Sequence, residues 1–193
     1  KKIVRRTEVT GETFDGMVAK ATFVATVAAT VPDTGACYLN EDIDGKRYGI
    51  YVFTQYKVMA PLARVGNKIR ISGTVARFGA VEDGETTEDE GTLQLVDAHY
   101  SAAYHEEGDI EVLEKGDGTY EEKKGTVGEL AVKDNINVIC SIDEPLTCYG
   151  GKAVKSTTSN IAYAFTLWCK NAAGERINVR IDDGMAVYPG EQP

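Results

Sequence analysis

A chain of 193 residues has room for one large domain or two small ones, and this sequence favours two. Hydrophobic residues at 42% and charged residues at 26% sit close to the globular norm, and no run approaches the roughly 18 apolar residues of a spanning helix, so neither wholesale disorder nor helical membrane insertion is expected. The net charge of −9 argues against a strongly electrostatic nucleic-acid binder, because affinity for phosphate backbones comes from clustered Lys and Arg.

Lys1 to Arg6 is basic but leads into no apolar signal-peptide core. Beyond it, β-branched and aromatic residues recur in short runs separated by Gly, Asp and Asn, which is the pattern of many strands joined by turns. The predicted strands are Ala21 to Val31, Ala36 to Asn40, Arg47 to Thr54, Lys68 to Phe78 and Thr92 to Tyr100. Asp44-Gly45 predicts a tight hairpin between the second and third. In Met59 to Leu62, Pro61 leaves room for a helical turn or an irregular connection, and Gly66-Asn67 turns the chain into the fourth strand.

Five strands in about 85 residues, ordered as a long strand, a hairpin pair, a connector and a second pair, follow the order of an oligonucleotide/oligosaccharide-binding (OB) barrel. Three stretches are also similar in texture to OB domains of bacterial secreted or surface proteins, including those attached to extracellular nucleases. They are Ala36 to Asp42 with Gly45 and Tyr48 to Phe53, then Leu62 to Val75, then Gly91 to Leu95. The resemblance covers roughly residues 16 to 103; it implies a fold and an exported setting more than a ligand, since one fold hosts many ligands.

Residues 104–124 carry much of the negative charge: 104–134 has a net charge of −6, against −2 for 1–103 and −1 for 135–193. This segment is expected to be an acidic linker with one added strand at Ile110 to Leu113. Its carboxylates lack the spacing of a calcium loop. A second unit is expected over 125–193, because Gly128 to Lys133 before Ile136 to Ile139 echoes Gly11 to Gly16 before Ala21 to Val24. Ala162 to Leu167, the turn Asn171 to Gly174, and Arg176 to Asp182 would continue the repeat. Too few residues follow for a fourth and fifth strand, so the expected fold class is all-β, tandem OB-like five-stranded barrels with the second partial, from a chain truncated after Pro193 or completed by other strands.

No nucleophile elbow, phosphate-binding loop, zinc-protease helix or dinucleotide fingerprint appears, so no enzyme activity and no cofactor are expected. Cys37, Cys140, Cys148 and Cys169 form no CxxC pair and both histidines lie far from them in sequence, so no metal site is expected. Cys140 and Cys169 would bridge in an oxidising compartment if a hairpin set them opposite each other.

An OB barrel holds ligands across its second and third strands. Alternation sends Cys37, Leu39, Ile50 and Val52 inward and Tyr38, Asn40, Arg47, Tyr51 and Phe53 outward, an aromatic and basic set suited to stacking bases or sugars. Six carboxylates between Glu82 and Glu90, in the loop that would frame such a ligand, oppose phosphate. In the second unit Trp168, Arg176 and Arg180 mark the least acidic candidate surface. The expected function is therefore a non-catalytic structural or protein-interaction module, partnered by another protein or by other domains of a longer chain. The alternative is binding of single-stranded nucleic acid or a glycan through the second and third strands. An accessory part of a nuclease is a third reading, and export to the surface or exterior is expected ahead of the cytoplasm.

Overall fold

The computed structural model describes residues 19–31, 34–54, 59–78, 81–82, 85–86, 92–96, 110–155 and 162–182. The expectations for residues 1–16, for most of the acidic run 82–90, for 104–109 and for the end of the chain after 182 lie outside the described residues. The described chain is mostly β, with one short α-helix, and it divides into two compact units, Lys1–Lys123 with Lys133–Ile139, and Lys124–Val132 with Cys140–Pro193.

The first unit contains β1 (Ala19–Val31), β2 (Ala36–Ile43), β3 (Lys46–Val52), β4 (Lys68–Phe78), the two-residue strands β5 (Val81–Glu82) and β6 (Glu85–Thr86), β7 (Thr92–Val96) and β8 (Ile110–Glu114). The first four predicted strands are present, and the fifth is present over Thr92–Val96, the rest of its range to Tyr100 lying outside the described residues. The predicted hairpin is present too: Asp44 (φ 52°) and Gly45 (φ 76°) both occupy the left-handed region, the combination a two-residue primed turn requires, and Ile43 faces Lys46 across it.

β1 is long because it serves two partners. Ala19 to Thr26 pairs with β4, Thr26 to Val31 pairs with β2, and an irregularity between Val27 and Ala29 marks the bend between the two. β2 pairs antiparallel with β3, β3 parallel with β7, and β7 antiparallel with β4, so the pairings run through five strands and return to β1. β8 takes the stretch of β4 from Lys68 to Ile71 and so covers backbone edge that β7, paired at Thr74 to Phe78, leaves open.

Alternation along these strands builds the core. Ala25, Val27, Cys37, Leu39, Ile50, Val52, Ile69, Ile71, Leu95 and Ile110 are buried together, with Phe23, Val75 and Val112 packed against them. Met59 and Leu62 join from the connector, where the Leu62 and Ala63 N–H groups both donate to the Met59 carbonyl, the helical turn that Pro61 permits. Asn67 fastens the next segment of chain: buried at the start of β4, it donates to the Pro61 carbonyl (2.9 Å) and accepts the Gly116 N–H (2.9 Å). The strand expected at Ile110 to Leu113 is present as β8, and residues 110–123, expected as an acidic linker carrying it, are thus built onto the first unit.

The second unit contains β9 (Lys123–Gly125) from its second residue on, which pairs with β10 (Cys140–Ile142), the one-turn helix α1 (Val127–Leu130), and the antiparallel sheet β11 (Thr147–Lys155), β12 (Ala162–Lys170), β13 (Arg176–Asp182). The β12–β13 hairpin is where the sequence puts it, with Gly174 at φ 85° and its N–H on the Asn171 carbonyl (3.1 Å). Asn171 clips that hairpin: its Oδ1 accepts the Glu175 N–H (2.9 Å), and its Nδ2 donates to Glu175 Oε2 (2.7 Å) and Glu144 Oε1 (3.0 Å). The same Glu144 oxygen accepts the Val127 N–H (2.7 Å), a first-turn donor with no partner inside the helix.

Two expectations give way here. Ile136 to Ile139, read as the opening strand of the second unit, is a non-strand segment of the first, because buried Asn40 captures its backbone. Opposite Cys169 stands Cys148, not Cys140, because β11 pairs with β12 along its whole length. All four cysteines are free thiols.

Candidate ligand surfaces

The outer face of β2 and β3 places two of the five predicted residues against the chain's own backbone. Asn40 is 1% exposed. Its Nδ2 donates to the Leu39 carbonyl (2.9 Å) and to the Asn137 carbonyl (2.8 Å), and its Oδ1 accepts the Ile139 N–H (2.8 Å) and the Tyr120 hydroxyl (3.5 Å). Across the ladder stands Gly49, and a Cβ there would collide with the Asn137 carbonyl, so the close approach of the segment needs glycine. Asn137 itself sits at φ 63°, a conformation asparagine tolerates better than most residues.

Arg47 is likewise committed. Nε and Nη2 form a two-pronged pair with the Asp42 carboxylate, at 2.9 Å each, Nη1 donates to the Glu121 carbonyl (2.6 Å), and the guanidinium lies 5.3 Å from the Tyr120 ring centroid. The hydrogen bonds from Arg47 hold the Asp42 carboxyl below the usual carboxylate range, and the same bonds push the guanidinium further up. Lys46 donates to Asp134 (2.5 Å), one more tie between this face and residues 133–139, and Lys123 holds the same segment from β9 by donating to Asn135 Oδ1 (2.7 Å). The other end of the face differs. Tyr38 and Tyr51 are cross-strand partners with ring centroids 5.1 Å apart, both half-buried, and half-buried Phe53 follows β3, its N–H on the Leu95 carbonyl (2.9 Å).

A cleft of about 550 Å³ lies between β1 and the β2–β3 hairpin, with Phe23, Ile43 and Tyr48 on its walls beside Glu41, Asp42 and Arg70. Three of its four charges are paired, Asp42 with Arg47, Arg70 with Glu111, and Glu41 at 4.0 Å from Lys68, while the fourth, Asp44, stands exposed at the hairpin turn. Among the described residues no three His, Cys, Asp or Glu side chains converge as a metal site.

The second surface is one face of the β11–β12–β13 sheet. Gly150, Trp168 and Asn178 form one cross-strand row, and Lys152, Thr166 and Arg180 form the next. Thr147, Lys170 and Arg176 form a third at the other side. Directly opposed residues share a face, so Trp168, Arg176 and Arg180, chosen from sequence, stand together with Lys152 and Lys170. Trp168 is 38% exposed and Tyr149 47%. Their rings are 6.4 Å apart at 37°, and Lys170 Nζ and Arg176 Cζ each lie 5.8 Å from the Tyr149 centroid. A cleft of about 370 Å³ is lined by Tyr149, Trp168, Arg176, Ile177 and Asn178.

The sequence reading missed Tyr149 and Lys152 because it missed β11, and Lys170 because it stands at the end of β12, beyond the predicted run Ala162 to Leu167. Two consecutive glycines, Gly150 and Gly151, argue against a strand locally. The available signal was the spacing of Tyr149 and Lys152 around them, and the glycines have a packing reason, since a Cβ on Gly150 would come within 2.7 Å of the Trp168 ring. No protein-family model matches the chain, and neither the curated proteins nor the solved structures include a match to it.

Proposed function

We propose that the chain is a non-catalytic interaction module in which the first unit is an OB-like barrel serving as a structural scaffold. Supporting the barrel reading is the ring of pairings β1-β2-β3-β7-β4-β1 with its single parallel pair, β3 with β7, around one buried cluster. The single observation that carries the scaffold role is the consumption of Asn40 and Arg47, the two polar members of the expected ligand face, by the backbone of residues 121–139. A face whose hydrogen-bonding groups are satisfied within its own unit has little left to offer a polar ligand, and uncovering it would cost about 1–3 kcal/mol per buried group left unpaired.

The test is a paired measurement on Arg47→Ala: thermal unfolding, and anisotropy of a labelled 15-mer of single-stranded DNA. The scaffold reading expects a lowered Tm with oligonucleotide affinity unchanged. An unchanged Tm with affinity lost would make this face a ligand site instead. One observation favours that second reading, single-stranded nucleic acid or glycan binding in the first unit: the Tyr38–Tyr51 pair with Phe53 beside it, away from the covered end. Tyr51→Ala in the same titration reads it out.

A further inference from the structure

We propose that the exposed face of the β11–β12–β13 sheet is a binding site for single-stranded nucleic acid, with Trp168 and Tyr149 as stacking surfaces and Lys152, Lys170, Arg176 and Arg180 as phosphate contacts. The proposal concerns the second unit alone and does not depend on the scaffold reading of the first.

Three features converge on it. The first is how the indole is mounted. Gly150 stands directly opposite Trp168, and with no side chain there the six-membered ring lies over the β11 backbone. The ring is supported from below by the strand, and with 38% of the residue exposed it offers a surface to solvent. An aromatic plane held this way loses little freedom when a base settles on it.

The second is the position of Tyr149. The register shifts between Cys148 and Gly150, so Tyr149 is the extra residue of a bulge, and its ring stands beside the indole rather than across the ladder from it. Two exposed rings at 6.4 Å and 37° make a continuous but bent surface, suited to successive bases that turn along a flexible strand and not to one flat ring sandwiched between two.

The third is charge. The chain as a whole is at −9, yet this face brings together four cations from three strands. Lys170 and Arg176 are cross-strand neighbours, where like charges are unfavourable unless something compensates, and the Tyr149 ring between them is the compensation the structure supplies. Glu144 and Glu175 both accept hydrogen bonds from Asn171 Nδ2. Cations flanking aromatic planes fit a ligand with a negative backbone and flat neutral rings, which describes a single strand better than a duplex, whose bases are stacked away, or a neutral glycan, which needs no cations.

Trp168 is the chain's one tryptophan, so its emission reports on the proposed site directly. The experiment titrates the intact chain with single-stranded oligothymidylate 15-mers, following both tryptophan quenching and anisotropy of a labelled copy, from low to physiological salt. The expected result is saturable quenching, with log affinity falling against log salt at a slope of about −2 to −3 as counterions are released from three or four contacted phosphates. Tyr149→Ala should weaken binding by about fivefold to a hundredfold, from the loss of one stacked base. Arg176→Gln should flatten the salt slope by about 0.7. Arg47→Ala, in the first unit, should leave affinity unchanged. Because Trp168→Ala removes the packing over Gly150, Lys170→Gln serves as the surface variant that keeps the fold. No quenching at low salt would overturn the proposal, and so would oligonucleotide binding that ignores Tyr149→Ala and Lys170→Gln. Quenching by polygalacturonate with none by oligothymidylate would overturn it as well, reassigning the face to an acidic glycan.

Discussion

The two units use the same side-chain chemistry to opposite ends. In the first, Arg47 beside Tyr120 is locked by Asp42 and the Glu121 carbonyl, and Asn40 is buried among backbone groups of a distant segment. In the second, Arg176 beside Tyr149 makes no ion pair among the described residues, and both aromatic rings of the face are open to solvent. The first unit also has a dense core of twelve buried hydrophobic residues. Among its described residues the second has few: Val127, Leu130, Ala164 and Cys169 are buried, while Phe165, Leu167, Ile177, Val179 and Ile181, the face of the sheet opposite Trp168, are only half-buried. Aromatic and basic residues on a sheet therefore say little by themselves. What separates structural from available is whether neighbouring backbone has already claimed their donors.

The largest expected contrast is in core truncation. Ile71→Ala removes a fully buried side chain of the first unit and should cost about 2–5 kcal/mol, whereas Val179→Ala in the second, half-buried on an open sheet, should cost under about 1 kcal/mol. Urea unfolding of each variant measures both. Equal losses would mean that the second unit is packed as tightly as the first, and the contrast would fail.

Next in size are the asparagines, one in each unit. Asn40→Ala leaves the Asn137 carbonyl and the Ile139 N–H without their partner and should cost about 1–3 kcal/mol. Asn171→Ala removes the clip on the β12–β13 hairpin and should cost a similar amount, with amide exchange rising in β12 and β13 while the protection of β1 to β4 is unchanged. Faster exchange in β1 to β4 as well would show that the units do not open separately.

Sharper still is the comparison of arginines. Arg47→Ala should lower stability by about 1 kcal/mol, and Arg176→Ala by no more than about 0.5 kcal/mol, since an exposed cation without an ion pair contributes little to the folded state. At acid pH the Arg47 pair has a further signature. The folded-state pKa of Asp42 is depressed, so its contribution is present above the unfolded value and is lost as pH falls through the folded one. Arg47→Ala should reduce the loss of stability below about pH 4.

Much of the first unit is readable in the sequence, and for definite reasons. Alternation in Lys68 to Phe78, the Asp44-Gly45 turn and Pro61 are local signals, and each has its element. The covering of Asn40 and Arg47 is not readable, because it depends on residues 120 to 139, some 70 to 100 positions away, and on the missing side chain of Gly49. In the second unit the hairpin from Ala162 to Asp182 carries strong β signals, and Trp168, Arg176 and Arg180 follow from alternation. β11 is hidden because Gly150 and Gly151, which lower strand propensity, are there to make room for Trp168 and for the neighbouring strand's backbone. A residue chosen for what its partner needs is illegible until the partner is known.

The smallest effect separates the units by thiol chemistry. Burial pushes the Cys37 thiol in the first core up to about 12 from an ordinary 9.0, while in the second unit Cys169 is raised by burial and then by the neighbouring Cys148, which is itself exposed. The thiolate is the reactive form, so iodoacetamide at pH 8 should label Cys148 first and Cys169 more slowly, and should leave Cys37 untouched until the first unit unfolds. The same burial links Cys37 to alkaline stability. With its folded pKa above the unfolded one, its contribution is complete below pH 9 and drains away as pH rises toward 12, so Cys37→Ala, although less stable at neutral pH, should lose stability less steeply over that interval. Labelling of Cys37 at the rate of Cys148 in the native chain would mean that the first core opens as readily as the second unit's surface, and the division between a closed unit and an available one would not stand.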